Sequence, residues 1–268
     1  MKLMKTKLAA AAAIAALGLG AAMPASALPL TLRIIDQGAA ATFTCVDNAA
    51  CDTNGALDQI GIDAGMANAF FGAAAGFTIV SASASASQTA SQAQIDKSGN
   101  ITATAAPGLL FMSFEASRQG FTLFGQNPRT LSTSGSATFT NSTDPGDNAT
   151  LEGFNDPDNM LFAGILGDPA TDGDEFATPL ILLDPPCAGI NPTTCAGASV
   201  LMGIIEPDPF SLTNRVVITT GPSAAGIPIS VQFTDSLVKF GVVPEPTSLL
   251  LVGAAMLGLG VVGRRKKS

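Results

Sequence analysis

The sequence predicts a mainly β protein, an antiparallel β-sandwich or jelly roll with one short helix near 57–71 and a C-terminal transmembrane helix. Three observations lead there. Short apolar stretches, many of period two, recur from residue 30 to residue 233, each bounded by Gly, Pro, Asn or Asp. Helical periodicity is nearly absent between them. A run of sixteen residues, 248–263, is apolar apart from Ser248 and stands directly before four basic residues.

The elements follow in chain order. Residues 1–27 combine a cationic start (Lys2, Lys5, Lys7), an apolar run and the small-residue end Ala25-Ser26-Ala27 behind Pro24, the layout of a secretory signal peptide cleaved after Ala27. Strands are expected at 30–35 and 41–45. A weak helix is expected over 57–71, where Ile60, Ala64, Ala67 and Phe71 share a face but several glycines intervene. From 77 to 88 a Ser-Ala alternation puts serine on one face of a strand and alanine on the other; a flexible low-complexity linker is the rival reading. Asp96-Lys97-Ser98-Gly99-Asn100 lies between two strand-like pieces and reads as a hairpin turn. Further strands are expected at 109–117, 121–124, 136–140, 149–154, 160–166, 180–183, 200–205, 216–219 and 229–233. This makes one exported domain over 28–240, followed by a tail over 241–268 whose prolines fix an extended linker.

Charge sharpens the picture of that domain. Seven of the 13 basic residues lie in the two end segments, whereas all 21 acidic residues fall between Asp36 and Glu245, so the exported part carries six positive charges and a net of −15. Such a field disfavours nucleic acid, anionic lipid head groups and acidic polysaccharide as direct partners. The four cysteines fall in two close pairs, Cys45 with Cys51 and Cys187 with Cys195; export and proximity favour disulfides within each pair, worth about 2–3 kcal/mol or less for loops this short.

Absences exclude whole classes of chemistry. There is no histidine, hence no Ser-His-Asp or Cys-His constellation and no His-ligated metal. Neither a G-x-S-x-G elbow nor a phosphate-binding G-x-x-x-x-G-K-[ST] loop occurs. A Ser-Lys pair has only Lys97 and Lys239 to draw on. Glu115, Glu152, Glu175 and Glu206 are available for two-carboxylate glycoside hydrolysis, though solvated surface charge is the simpler reading. Tryptophan and tyrosine are missing, which removes the usual platforms for stacking on a sugar ring. From Thr130 to Asn214 there are twelve acidic residues and no basic one. Turn building explains such a band best; if it holds calcium, Asp172, Asp174 and Glu175 are the ligands to test. No other cofactor is expected.

The tail resembles a known sorting signal. Pro244-Glu245-Pro246, then the apolar run, then Arg264-Arg265, is similar in order and spacing to the PEP-CTERM domain of Gram-negative bacteria that make extracellular polysaccharide. The sixteen-residue run rises about 24 Å as a helix, short of a hydrocarbon core of about 30 Å, with the basic end held in the cytoplasm. The resemblance implies an exosortase as partner, cleavage near the motif, and delivery through the secretion machinery and an inner-membrane intermediate to the cell surface or matrix. Pro244, Glu245 and Pro246 are then residues acted upon. The expected role is structural or adhesive, without catalysis, in contact with exopolysaccharide; a carboxylate-dependent envelope hydrolase and a stably anchored single-pass protein are the alternatives.

Overall fold

The computed structural model describes residues 28–72, 75–103, 110–123, 128–142, 146–162, 176–185, 192–205, 207–221 and 227–242. Two antiparallel sheets pack face to face. The first contains β1 (Thr31–Asp36), β2 (Ala41–Val46), β6 (Leu110–Phe121), β8 (Asn148–Asp156), β10 (Ile181–Leu183) and β12 (Phe210–Thr220), in the order β10-β8-β12-β6-β1-β2, with β9 (Phe176–Ala177) also paired to β8. The second contains β3 (Gln59–Gly61), β4 (Phe77–Gln88), β5 (Gln92–Ala103), β7 (Arg129–Thr140), β11 (Thr193–Ile204) and β13 (Ile229–Val242), in the order β11-β7-β13-β5-β4-β3. Sheet membership alternates along the chain at β5 to β6, β7 to β8 and β12 to β13, so both layers are completed only by distant segments.

Period-two sequence makes each layer two-faced. On β5 every second residue, from Ala93 and Ile95 to Ile101 and Ala103, is buried against the other sheet. On β4, Phe77 and Ile79 point inward, and so do Ala82, Ala84 and Ala86. The switch from odd to even positions is made by a bulge between Ile79 and Ser81, which leaves Val80 exposed. The Ser-Ala stretch is therefore a strand, its small alanines filling a tight part of the core. Aromatic contacts close the layers, with Phe114 5.0 Å from Phe233 and Phe210 4.9 Å from Phe240 between ring centroids.

Three expectations are corrected. Asp96 to Asn100 is no turn: β5 runs straight through it, and the reversal from β4 lies at 89–91, where Thr89 Oγ1 accepts from the Ser91 and Gln92 amides. Gly99 is needed for another reason, since a Cβ there would sit 2.5 Å from the Phe233 ring, which lies across the glycine backbone. The helix, α1, is only Ala64–Phe71. Asp63 caps it by accepting from Gly65 and Met66, and Gly72 ends it at φ 76°, while Ile60, expected on its face, is buried in β3 instead. Finally, residues 160–162 of the expected strand 160–166 form a turn, with Phe162 at φ 59°.

Cys45 and Cys51 are joined in a disulfide that ties the end of β2 to the following loop. Cys195 is disulfide-bonded as well, and Cys187 lies outside the described residues. Among the described residues no helix is long and apolar enough to cross a membrane; the run 248–263 lies outside them.

Candidate binding faces of the sandwich

The outer face of the second sheet is built from the residues that alternate with the core. β5 contributes Gln94, Asp96, Ser98 and Asn100, and β4 contributes Ser83 and Ser85. Across β13, β7 adds Ser132, Ser134, Ser136 and Thr138. Short hydroxyl and amide side chains dominate this face, and neighbouring ones bridge the strands: Ser83 to Ser98 at 2.8 Å, Ser136 to Thr234 at 3.0 Å, Thr138 to Thr194 at 2.9 Å.

A cavity of about 350 Å³ opens on this face. Ser83, Ser85, Asp96 and Ser98 form its floor; Asn54 and Gln59, linked by a 3.0 Å hydrogen bond, form one wall. Thr234 and Asp235 form the other. That second wall is a bulge in β13, where the register slips between Phe233 and Ser236 against β5 and between Thr234 and Leu237 against β7. Asp235 occupies the left-handed region at φ 51°. A bulge of this kind re-aims side chains out of the ladder and is over-represented beside binding and catalytic sites. Gly135 on β7 makes room for it, because a Cβ there would be 3.0 Å from Ser236 Cα and 3.3 Å from the Asp235 carbonyl oxygen.

Two carboxylates thus share one cavity. Partial burial pushes the Asp96 carboxyl up from the ordinary range, and the neighbouring Asp235 charge adds to the rise; the Lys97 amide and the Lys239 ammonium pull the other way. Lys97 lines the same cavity, but its amino group is turned into the sandwich, where it donates to the carbonyl oxygens of Phe114 and, at 2.9 Å, Asn214. Among the described residues neither Asp96 nor Asp235 forms an ion pair.

The first sheet presents a different outer face. Strand register aligns Arg33, Glu115, Arg215 and Glu152 in one row across β1, β6, β12 and β8. Arg33 reaches Glu115 at 2.7 Å, Arg215 lies 3.6 Å from Glu115, and Arg215 reaches Glu152 at 3.3 Å. Ser113 also donates to Glu115, whose side chain is fully buried. The turn after β8 folds over this row: Phe162 lies under the Arg33 guanidinium, 3.5 Å from its ring centroid, and its amide donates to Ser117 Oγ. Of the four glutamates considered for hydrolysis, Glu115 and Glu152 are brought together, but with Arg215 between them; Glu175 and Glu206 lie outside the described residues. Neither Lys97 nor Lys239 is hydrogen-bonded to a serine hydroxyl among the described residues.

Two carboxylates of the acidic band are paired with the arginines that flank it. Arg129 binds Asp208 through two bonds of 3.0 and 3.1 Å, and Arg215 takes Glu152. Asp147 accepts from Ser142 and Gly221, and Asp156 from the amides of Asp158 and Met160, so these carboxylates organise turns. Asp172, Asp174 and Glu175 lie outside the described residues. Among the described residues no group of three or more acidic or cysteine side chains is placed to hold a metal ion.

Residues 242–266 match the family model of the PEP-CTERM protein-sorting motif. The match covers Pro244, Glu245, Pro246, Arg264 and Arg265 and marks the chain as an exported protein handled by an exosortase. No curated protein sequence matches significantly. Among solved structures, the chain is similar to one described as a carbohydrate-binding module of the β-sandwich superfamily, at 11% identity over 77% of this chain and 71% of that one, with a TM-score of 0.29. It is also similar to the enzymatically active domain of tailspike protein 4 of bacteriophage CBA120, at 10% identity over 63% of this chain and 19% of that one, with a TM-score of 0.28. Superpositions this loose assign no ligand.

Sequence reasoning did not single out the Asp96 and Asp235 cavity. The two residues are far apart in the chain and belong to no motif. One signal was readable. Buried apolar residues of β13 sit at 229, 231 and 233 and then at 238 and 240, a change of parity that matches the bulge near 235, although apolar Leu237 keeps the odd parity and blurs the signal in the sequence.

Proposed function

We propose that this is a surface or matrix protein of the Gram-negative envelope, sorted by an exosortase, whose β-sandwich contacts exopolysaccharide without catalysing a reaction. The sorting motif carries the first half of that reading. In it, residues 1–27 are removed after Ala27, the run 248–263 holds the chain in the inner membrane, and the tail beyond 241 is cut near Pro244-Glu245-Pro246. The broad hydroxyl and amide face of the second sheet supports the second half, because such groups match sugar hydroxyls as donors and acceptors. A non-catalytic role is supported by the contacts of Glu115 and Glu152, since Arg33 and Arg215 lie directly against these carboxylates and Arg215 stands between the two, where a glycosidic bond would have to enter.

Fractionating cells with and without the exosortase tests the sorting. The protein is expected in the surface or matrix fraction of normal cells and in the inner membrane of cells lacking the enzyme. Mass spectrometry of the surface form that finds Ser268 in place refutes processing. Retention of the purified protein on the cells' own exopolysaccharide, without release of reducing ends, tests the role of the domain.

A further inference from the structure

We infer that the cavity between β3, β4, β5 and the β13 bulge binds an amino-sugar unit of a polysaccharide, with its ammonium between Asp96 and Asp235; this rests on the reading that the domain contacts exopolysaccharide. Four observations lead to this ligand. The cavity, about 350 Å³, is at the small end of those that take small molecules, a size suited to one ring of a chain lying along the sheet. Its two carboxylates have no ion-pair partner among the described residues, and the one lysine on its lining directs its amino group away from it. Two like charges in one cavity repel, and Lys239, which acts on Asp96 from outside the lining, offsets this less than Asp235 adds to it, so the site favours a further positive group. Most of the remaining lining is neutral and hydrogen-bonding, with Asn54, Gln59, Ser83, Ser85, Ser98 and Thr234 able to meet ring hydroxyls, while Ile60 and Ala84 add a small apolar part.

The geometry also excludes other sugars. Uronic acids bring a third carboxylate against the pair. An N-acetylated unit has no ammonium, so it leaves both carboxylates unpaired. No aromatic side chain lines the cavity, so selection rests on charge and hydrogen bonds alone.

The test is titration calorimetry on the full chain, purified from membranes in detergent, with three probes of equal length: glucosamine oligomers, their N-acetylated counterparts, and glucose oligomers. Binding of the glucosamine probe is expected to exceed that of the other two by at least about tenfold, the scale of a charge-assisted hydrogen bond. Asp235→Asn and Asp96→Asn should each remove that preference, with melting temperatures near the wild-type value, while Thr42→Ala, exposed on β2 of the other sheet, leaves it intact. Asp235 is exposed, so its variant keeps the test informative if Asp96→Asn folds poorly. Equal affinity for the acetylated probe, an unchanged preference in both aspartate variants, or no binding of the glucosamine probe overturns the inference. Binding of glucose oligomers alone overturns it while leaving the polysaccharide-binding role in place.

Discussion

Lys97 offers the sharpest test of the interior. Its side chain is 2% exposed and lies between the sheets, donating to the Phe114 and Asn214 carbonyl oxygens. Burial pushes its pKa well below the ordinary lysine range; the Glu115 carboxylate pulls it back up and the Arg215 guanidinium adds to the fall. Above that lowered value the folded protein has released the proton, whereas the unfolded chain keeps it up to about pH 10.4. The unfolded state then binds more protons, so stability rises with pH across this window and is flat below it. One proton corresponds to about 1.4 kcal/mol per pH unit, which is the upper limit on the slope of stability against pH in this window. Lys97→Met removes the titrating group and keeps the length of the side chain. Urea unfolding of both proteins at two pH values within this window isolates the effect, since the other titrating groups are shared and cancel in the difference. The wild type is expected to gain on the variant as pH rises. Stability curves that stay parallel would refute the reasoning.

Other interior positions give separate expectations. Asn214 accepts from Ser236 Oγ at 2.9 Å and donates to the backbone carbonyls of Ser236 and Ile95, binding the two sheets together; Asn214→Ala should cost about 1–3 kcal/mol in urea unfolding through the partners it strands. Arg33→Ala leaves the buried Glu115 with the Ser113 hydroxyl and the longer Arg215 contact and should cost about 3 kcal/mol, much of it recovered when Glu115→Gln is added, as read by a double-mutant cycle. Replacing both Cys45 and Cys51 by alanine opens a short loop and should lower stability by about 2 kcal/mol while the circular dichroism spectrum stays that of a β protein.

Where the sequence was legible, the reason was local. Phe77 to Gln88 reads as a strand because its period-two pattern survives on the small side chains of the Ser-Ala repeat. Residues 96–100 misled because Asp, Lys, Ser, Gly and Asn are turn formers by composition, whereas the glycine answers to Phe233, a residue more than a hundred positions away. Parity would have corrected this: 93, 95, 97, 99, 101 and 103 fall on one face, which places Lys97 among Ile95 and Ile101 in the core. The helix was overextended because Ile60 fits a helical face; Asp63, a good N-cap three residues later, marks the true start. The site was hidden for the same reason as Gly99. It is assembled by register between β5 and β13, which no local pattern specifies.

β13 has a mechanical consequence. It is flanked by β5 on one side and β7 on the other over most of its length, and it ends at Val242, where the sorting motif begins. A pull applied through the C-terminal tail therefore enters the domain along the axis of a central strand. Antiparallel hydrogen bonds run across that axis, so such a pull shears both ladders together instead of unzipping them one bond at a time. A domain tethered by this end and dragged by a polymer on its outer face would carry load through its most doubly bonded segment.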